Sequence, residues 1–205
     1  MLSTVILISG RGSNMQAIVK AQIPNVSIKA VISNDPTAKG LDYARQQGIE
    51  TAIVNHKDFV SRADFDKALQ ACIEQFNAEL IILAGFMRIL TPEFVQYYRG
   101  RLLNIHPSLL PLFKGLHTHE RALKAGMKQH GVTVHFVTED LDSGAIIAQA
   151  KVPVLDNDDA DTLAARVLIE EHKIYPQVVQ WFAEGRLKWQ DNQAWLDGKI
   201  LQNQG

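Results

Sequence analysis

Short apolar runs alternate along this chain with stretches whose apolar residues recur at helical spacing. Thr4-Val5-Ile6-Leu7-Ile8 has the length of a buried strand, and a glycine turn and a helix to about Ala21 follow it. Ser27 to Ser33 predicts a second strand stopped by Asn34-Asp35-Pro36, Leu41 to Gln47 a helix ending at Gly48, and Thr51 to Val54 a short third strand. From Asp64 to Phe76 the residues Phe65, Leu69, Cys72, Ile73 and Phe76 keep a helix period. Cys72 lies on that stripe and reads as a core residue rather than a nucleophile. Leu80 to Ala84 is the next strand, and Thr91-Pro92-Glu93 opens a helix with a cap and a first-turn proline. Leu102 to His106 is a strand again, followed by a proline-rich loop, a short helix near Arg121 to Ala125, and the strand Val132 to Val137. The run Ile146 to Val154 follows a connection too short for a parallel crossover, so these two strands are expected to lie antiparallel. Asp161 to Gly185 is a long helical region, with Pro176 where it would bend.

The alternation predicts a doubly wound, mostly parallel α/β sheet with an antiparallel edge in the C-terminal half. No repeat or Pro/Gly/Ser linker divides it, so residues 1–205 read as one domain. With 46% hydrophobic residues the chain can bury a sizeable core. Its 21 basic and 22 acidic residues are mixed along the sequence, and this gives no basic patch for nucleic acid or a membrane surface. Apolar stretches such as Leu80 to Gly85 are strand-sized, no leader pattern precedes the first strand, and Cys72 is the only cysteine. The expectation is a soluble, cytoplasmic protein, with the oligomeric state left open.

In open α/β sheets, ligands bind beyond the carboxyl ends of the strands. Four segments with polar or glycine-rich character fall there: Ser9 to Asn14, Gly85 to Leu90, Asn104 to Leu110 and Thr138 to Gly144. Ser9-Gly10-Arg11-Gly12-Ser13-Asn14 offers a tight turn and a helix start whose backbone N–H groups can cradle an anion. A dinucleotide fingerprint would need a glycine where Met15 stands, and no Gly-Lys-Ser/Thr follows for a triphosphate loop. A monophosphate suits the loop best, and the alternative is a plain turn capped by Ser13 or Asn14. Asp35, beside a proline, reads as an ordinary turn residue.

Asn104 and His106 stand two apart on a strand and project from the same side. An amide donor beside a titratable imidazole can stabilise an oxyanion and move a proton. The bland alternative is a satisfied core histidine at a strand end. Asp140 reads as a solvated turn residue, whereas Asp142 becomes interesting only if the fold brings it to His106, where a carboxylate would favour the charged imidazole. His106, His117, His119, His135 and Asp142 could in principle assemble a metal site. No His-Glu-x-x-His helix or cysteine pair accompanies them, and no metal is expected.

The strings Ile8 to Asn14, Leu83 to Leu90, Leu103 to Pro111, Gly115 to His119, Val134 to Val137, Asp142-Ser143-Gly144 and Glu171 to Pro176 together resemble the phosphoribosylglycinamide formyltransferases, folate-dependent enzymes of purine synthesis. The Asn-x-His-Pro-Ser-Leu-Leu-Pro string with a downstream Asp-x-Gly marks formyl transfer from folate. It says less about the acceptor, because methionyl-tRNA formyltransferase and formyltetrahydrofolate deformylase carry a similar domain. The first of these adds a C-terminal domain and the second an N-terminal one. Neither is expected in a chain whose first strand starts at once and which ends soon after Trp195. The balanced charge also argues against tRNA.

The resemblance implies a formyltransferase catalytic domain that moves the formyl group of 10-formyl-tetrahydrofolate to glycinamide ribonucleotide. Gly12, Ser13 and Asn14 would take the acceptor's phosphate and Glu171 its ribose hydroxyls. Met87, Arg88, Ile89 and Leu90 would line the pterin cleft, Arg62 would reach the folate's carboxylate tail, and Thr138, Glu139, Asp140, Leu141 and Asp142 would close over the pterin. Asn104, His106 and Asp142 match the family's catalytic trio. Arg11 and Ala145 stand at loop positions where the family pattern varies. A formate-releasing hydrolase and a non-catalytic nucleotide sensor are the rival readings.

Overall fold

The computed structural model describes residues 1–201; the reading of 1–205 as one domain also takes in 202–205, which lie outside the described residues. Seven strands form the main sheet: β1 Leu2–Ile8, β2 Val26–Ser33, β3 Glu50–Ile53, β4 Leu80–Leu83, β5 Leu102–His106, β6 Gln129–Phe136 and β7 Ile146–Pro153. Six helices connect them: α1 Ser13–Lys20, α2 Gly40–Gln46, α3 Arg62–Glu74, α4 Pro92–Tyr97, α5 Thr118–Lys124 and α6 Ala160–Ala183. The strand order is β3-β2-β1-β4-β5-β6-β7. The chain therefore winds outward from β1 in one direction, then returns to place β4 on its other side. That reversal is the switch point at which ligands of such sheets bind, and the segments after β1 and β4 flank it.

Side chains alternate across the sheet because strand periodicity is two. Ile6 and Ile8 of β1 join Met15 and Ile18 of α1, Leu41 of α2 and Leu163, Val167 and Val178 of α6 in one core. Val5 and Leu7 join Phe65, Leu69 and Ile73 of α3 and Phe94 and Val95 of α4 in the other. Each such buried side chain stabilises the fold by about 1.5–3 kcal/mol. Cys72 packs, half-buried, on the α3/α4 side, where burial pushes its thiol up. On β5, Leu102 joins the α3/α4 core while Leu103 and Ile105 join the other. Asn104 and His106 continue Leu102's face past the end of that helical cover, where they meet a cleft.

Tyr175 of α6 is wholly buried, and its hydroxyl lies 2.7 Å from the Leu83 carbonyl oxygen and 3.2 Å from that of Leu103. The long helix is thereby tied to the carboxyl ends of β4 and β5. It runs unbroken through Pro176, although proline withholds one helical N–H.

β6 and β7 are antiparallel neighbours as expected, but β5 and β6 are antiparallel too. The single reversed strand is thus β6, and the edge strand β7 again runs with β5. The short helix begins at Thr118 rather than near Arg121. A second sheet of β8 Leu187–Gln190, β9 Gln193–Leu196 and β10 Lys199–Ile200 was not anticipated. Its strands are two to four residues long, too short for alternation to stand out. Among the described residues no helix is long and apolar enough to cross a membrane.

Candidate active site

After β1 the chain turns at Gly12, whose φ of +70° is the left-handed conformation that favours glycine. Gly12 is the N-cap of α1, and neither Ser13 nor Asn14 supplies a capping side chain as the plain-turn alternative required. The loop rests on Gly40: its N–H donates to the Gly10 carbonyl at 3.0 Å, and a Cβ there would come within 2.5 Å of Ile8. Gly10 to Asn14, with Ala84 and Gly85, line a hollow of about 200 Å³. Asn14 is buried and donates from Nδ2 to Glu171 Oε1 at 3.0 Å, while its Oδ1 has no partner. Burial pushes the Glu171 carboxyl up, against the pull of the Asn14 amide. Two of the four acceptor-binding residues implied by the resemblance, 157 positions apart in the chain, therefore form one hydrogen-bonded pair.

Asn14 and Gly85 also border a second, larger space of about 620 Å³, within the range of small-molecule sites. One wall is the segment after β4. Its Met87 N–H donates to Ser9 Oγ at 2.7 Å, Ser9 donates in turn to Asn34 Oδ1, and Thr91 N–H donates to Asp66 Oδ2 at 2.6 Å. Burial pushes the Asp66 carboxyl up. The Arg88 guanidinium lies over the Phe65 ring, 5.3 Å from its centroid. Met87, Ile89, Leu116 and Leu141 line this cleft, and each leaves more than half of its surface exposed. Four exposed apolar side chains around one opening suit a flat, largely apolar ligand. Met87, Arg88, Ile89 and Leu90, and Thr138 to Asp142, all line the cleft. Arg62 is absent from its lining; it is exposed at the first turn of α3.

Asn104, His106 and Asp142 converge at the floor. His106 Nδ1 is 3.6 Å from Asp142 Oδ2, both side chains being buried, and His106 Nε2 donates to the Phe113 carbonyl at 2.8 Å. Asp142 Oδ2 accepts the Gly115 N–H at 2.9 Å. Asp142 and Phe113 both adopt positive φ, 49° and 53°, which costs a non-glycine residue about 1–3 kcal/mol. Both residues that hold the imidazole are thus strained. Asn104 is fixed from β6: it pairs in register with His135, and its Nδ2 donates to His135 Nε2 at 3.4 Å. His135 Nδ1 faces the Phe136 carbonyl at 3.0 Å, and burial pushes that imidazole down, so it is a neutral acceptor. Lys114 Nζ donates to Ser143 Oγ at 2.6 Å, and Arg99 pairs with Glu139, so the Asp142 segment is held from both ends.

The sequence placed His135 in a metal set and, like Gly115, in a string that carries the resemblance, but gave neither its role beside Asn104 or Asp142, and it gave no signal for Phe113. The Asn104–His135 register follows from β5 and β6 being paired, which was not anticipated. A further pair, His119 with His130, lies 3.1 Å apart between the rings; burial and the neighbouring histidines push His130 down to about 4. Among the described residues no group of three or more His, Cys, Asp or Glu side chains is arranged to hold a metal ion.

A family model described as formyl transferase matches residues 2–179. The chain belongs to the formyl transferase family. The matched span holds every residue of both hollows, and β8 to β10 lie beyond it. The phosphoribosylglycinamide formyltransferase of Escherichia coli K12 is 52% identical over 207 residues, covering 100% of this formyl transferase and 98% of that protein. The human trifunctional purine biosynthetic protein adenosine-3 is 48% identical over 190 residues, covering 91% of this chain and 19% of the human one. Among solved structures, the Coxiella burnetii phosphoribosylglycinamide formyltransferase in complex with CHES superposes with a TM-score of 0.95 at 52% identity, covering 100% of this chain and 97% of that one.

Proposed function

We propose that this enzyme transfers the formyl group of 10-formyl-tetrahydrofolate to the amine of glycinamide ribonucleotide, in the cytoplasm, without a metal. The observation that carries this reading is the position of Asn104, His106 and Asp142 in the cleft, beside the Asn14–Glu171 pair where the glycine-walled hollow adjoins it. Acceptor phosphate and ribose occupy the hollow and the Glu171 side; the pterin lies against Met87 to Leu90 under the segment Thr138 to Asp142. Membership of the family and the chain's likeness to phosphoribosylglycinamide formyltransferases along its whole length support the same pairing.

The acceptor amine attacks the formyl carbon, giving a tetrahedral intermediate whose oxygen becomes negative. Asn104, oriented by His135, donates to that oxygen. His106 donates to it as well or passes a proton to the folate nitrogen as the carbon–nitrogen bond breaks, and the proton that the attacking amine loses returns to the imidazole. Both ring nitrogens of His106 face protein groups, so this role requires it to leave the Phe113 carbonyl. Asp142, 3.6 Å from the ring, orients it.

The test follows release of deformylated folate with and without glycinamide ribonucleotide. Turnover only with the nucleotide supports the transferase. Turnover without it means a hydrolase instead, and binding of the nucleotide without any turnover means a sensor.

A further inference from the structure

We propose that Arg11 sets the enzyme's preference for a phosphorylated acceptor, its guanidinium supplying the positive charge that the rest of the hollow lacks. The inference rests on the reading that the acceptor's phosphate enters this hollow. Of the seven residues that line it, Gly10, Arg11, Gly12, Ser13, Asn14, Ala84 and Gly85, only Arg11 carries a charge.

The neighbouring groups leave that charge without a substitute. Asn14 is neutral: it gives one Nδ2 hydrogen to Glu171, and its side-chain oxygen has no partner. That buried oxygen suits a hydroxyl or amine of the ligand and repels a phosphate. The Arg11 carbonyl accepts from Gln16 Nε2 at 3.3 Å and the Gly10 carbonyl from Gly40 N–H, which fixes the backbone at the base of the side chain. Among the described residues Arg11 enters no ion pair, and it is exposed. A free guanidinium at the rim of a neutral backbone cradle can meet a phosphate with two parallel N–H bonds, which an ammonium cannot reproduce. Lysine at this position therefore restores charge but not the paired geometry.

The variants Arg11→Ala and Arg11→Lys are compared with the parent enzyme. For Arg11→Ala the KM for glycinamide ribonucleotide is expected to rise about tenfold to a hundredfold, with the loss in KM rather than kcat and the KM for the folate unmoved. The ratio of kcat/KM for this acceptor over its unphosphorylated ribonucleoside should fall at least about tenfold, with Arg11→Lys in between. Calorimetric binding of ribose 5-phosphate to each protein gives a readout that does not depend on formyl transfer. Arg11-dependent binding by a protein that transfers nothing would keep the present inference and remove the proposed reaction. An active parent enzyme whose Arg11→Ala variant keeps both its KM and its acceptor ratio within about twofold would overturn it, as would parent binding of ribose 5-phosphate that Arg11→Ala leaves unchanged.

Discussion

The two spaces that meet at Asn14 and Gly85 are built from different parts of the chain, and they differ in kind. The smaller one comes chiefly from five consecutive positions after β1, with backbone groups and glycines as its walls. The larger one draws on the ends of β4, β5 and β6, on the loop around Gly115 and on the segment before Gly144. Two of its side chains are held by partners tens of residues away: His135 holds Asn104 across 31 positions, and Gly115 holds Asp142 across 27. A local loop suits an anion, for which preset N–H groups suffice. Chemistry on a formyl carbon needs side chains converging from several elements, and only the folded sheet supplies that.

The sharpest way to break this contrast is to remove the convergent side chains. Asn104→Ala, His106→Ala and Asp142→Ala are each expected to lower kcat by about 10²–10³, with circular dichroism and nucleotide binding largely retained. Asp142→Asn separates charge from geometry, since it keeps an acceptor for the Gly115 N–H. A variant trio with near-normal kcat would place the chemistry elsewhere.

Acid should affect the cleft side before the hollow. His130 is buried against His119, with Phe113 at its edge and His106 nearby, and its burial holds it neutral to about pH 4. The unfolded histidine takes up a proton near its ordinary value of about 6.5. The resulting stability is intact above that pH and is lost as pH falls toward 4, by about 2 kcal/mol between pH 7 and pH 5. Urea unfolding across that range measures it. His130→Gln should flatten the slope; an equal slope in the variant would assign the acid sensitivity to other groups.

The same contrast explains what was legible in the sequence. Strand β4 is a fully apolar run and β1, β2 and β5 are mostly apolar, and their boundaries fall within two residues of those predicted. Ser9 to Asn14 and Asn104 to Pro111 could be read as site segments because their chemistry is contiguous. The resemblance then carried most of the lining residues. What stayed hidden depends on pairing across the sheet: the reversal of β6, the service of His135 to Asn104, and the engagement of His106 by Phe113. Ser13 and Asn14 have the residue types of caps, but the left-handed Gly12 and the buried Glu171 decide otherwise. The short C-terminal strands offered no periodicity to find.

Glu171 and the strand ends are linked through α6, so loosening that helix should touch both spaces at once. Tyr175→Phe removes a buried hydroxyl that faces the Leu83 and Leu103 carbonyls. A stability loss of about 1–3 kcal/mol is expected, with the KM for both substrates raised a few-fold (roughly). A change confined to the folate would mean that Glu171 is placed by α1 alone.

The smallest expected effect concerns the outer tether of the cleft. Arg99 and Glu139 are both partly exposed, and such a pair contributes about 0–1 kcal/mol. The Asp142 segment is also held by Lys114 at Ser143 and by Gly115 at Asp142 itself, closer to the chemistry. Arg99→Ala should therefore raise the folate KM by no more than about fivefold and leave kcat and the nucleotide KM near their parent values. Adding Lys114→Ala should deepen the folate defect. If Arg99→Ala alone lowers kcat as far as Asp142→Ala does, the segment is positioned from the turn after α4 rather than from the Gly115 loop. In that case an exposed ion pair would matter more to the cleft than the buried contacts beneath it.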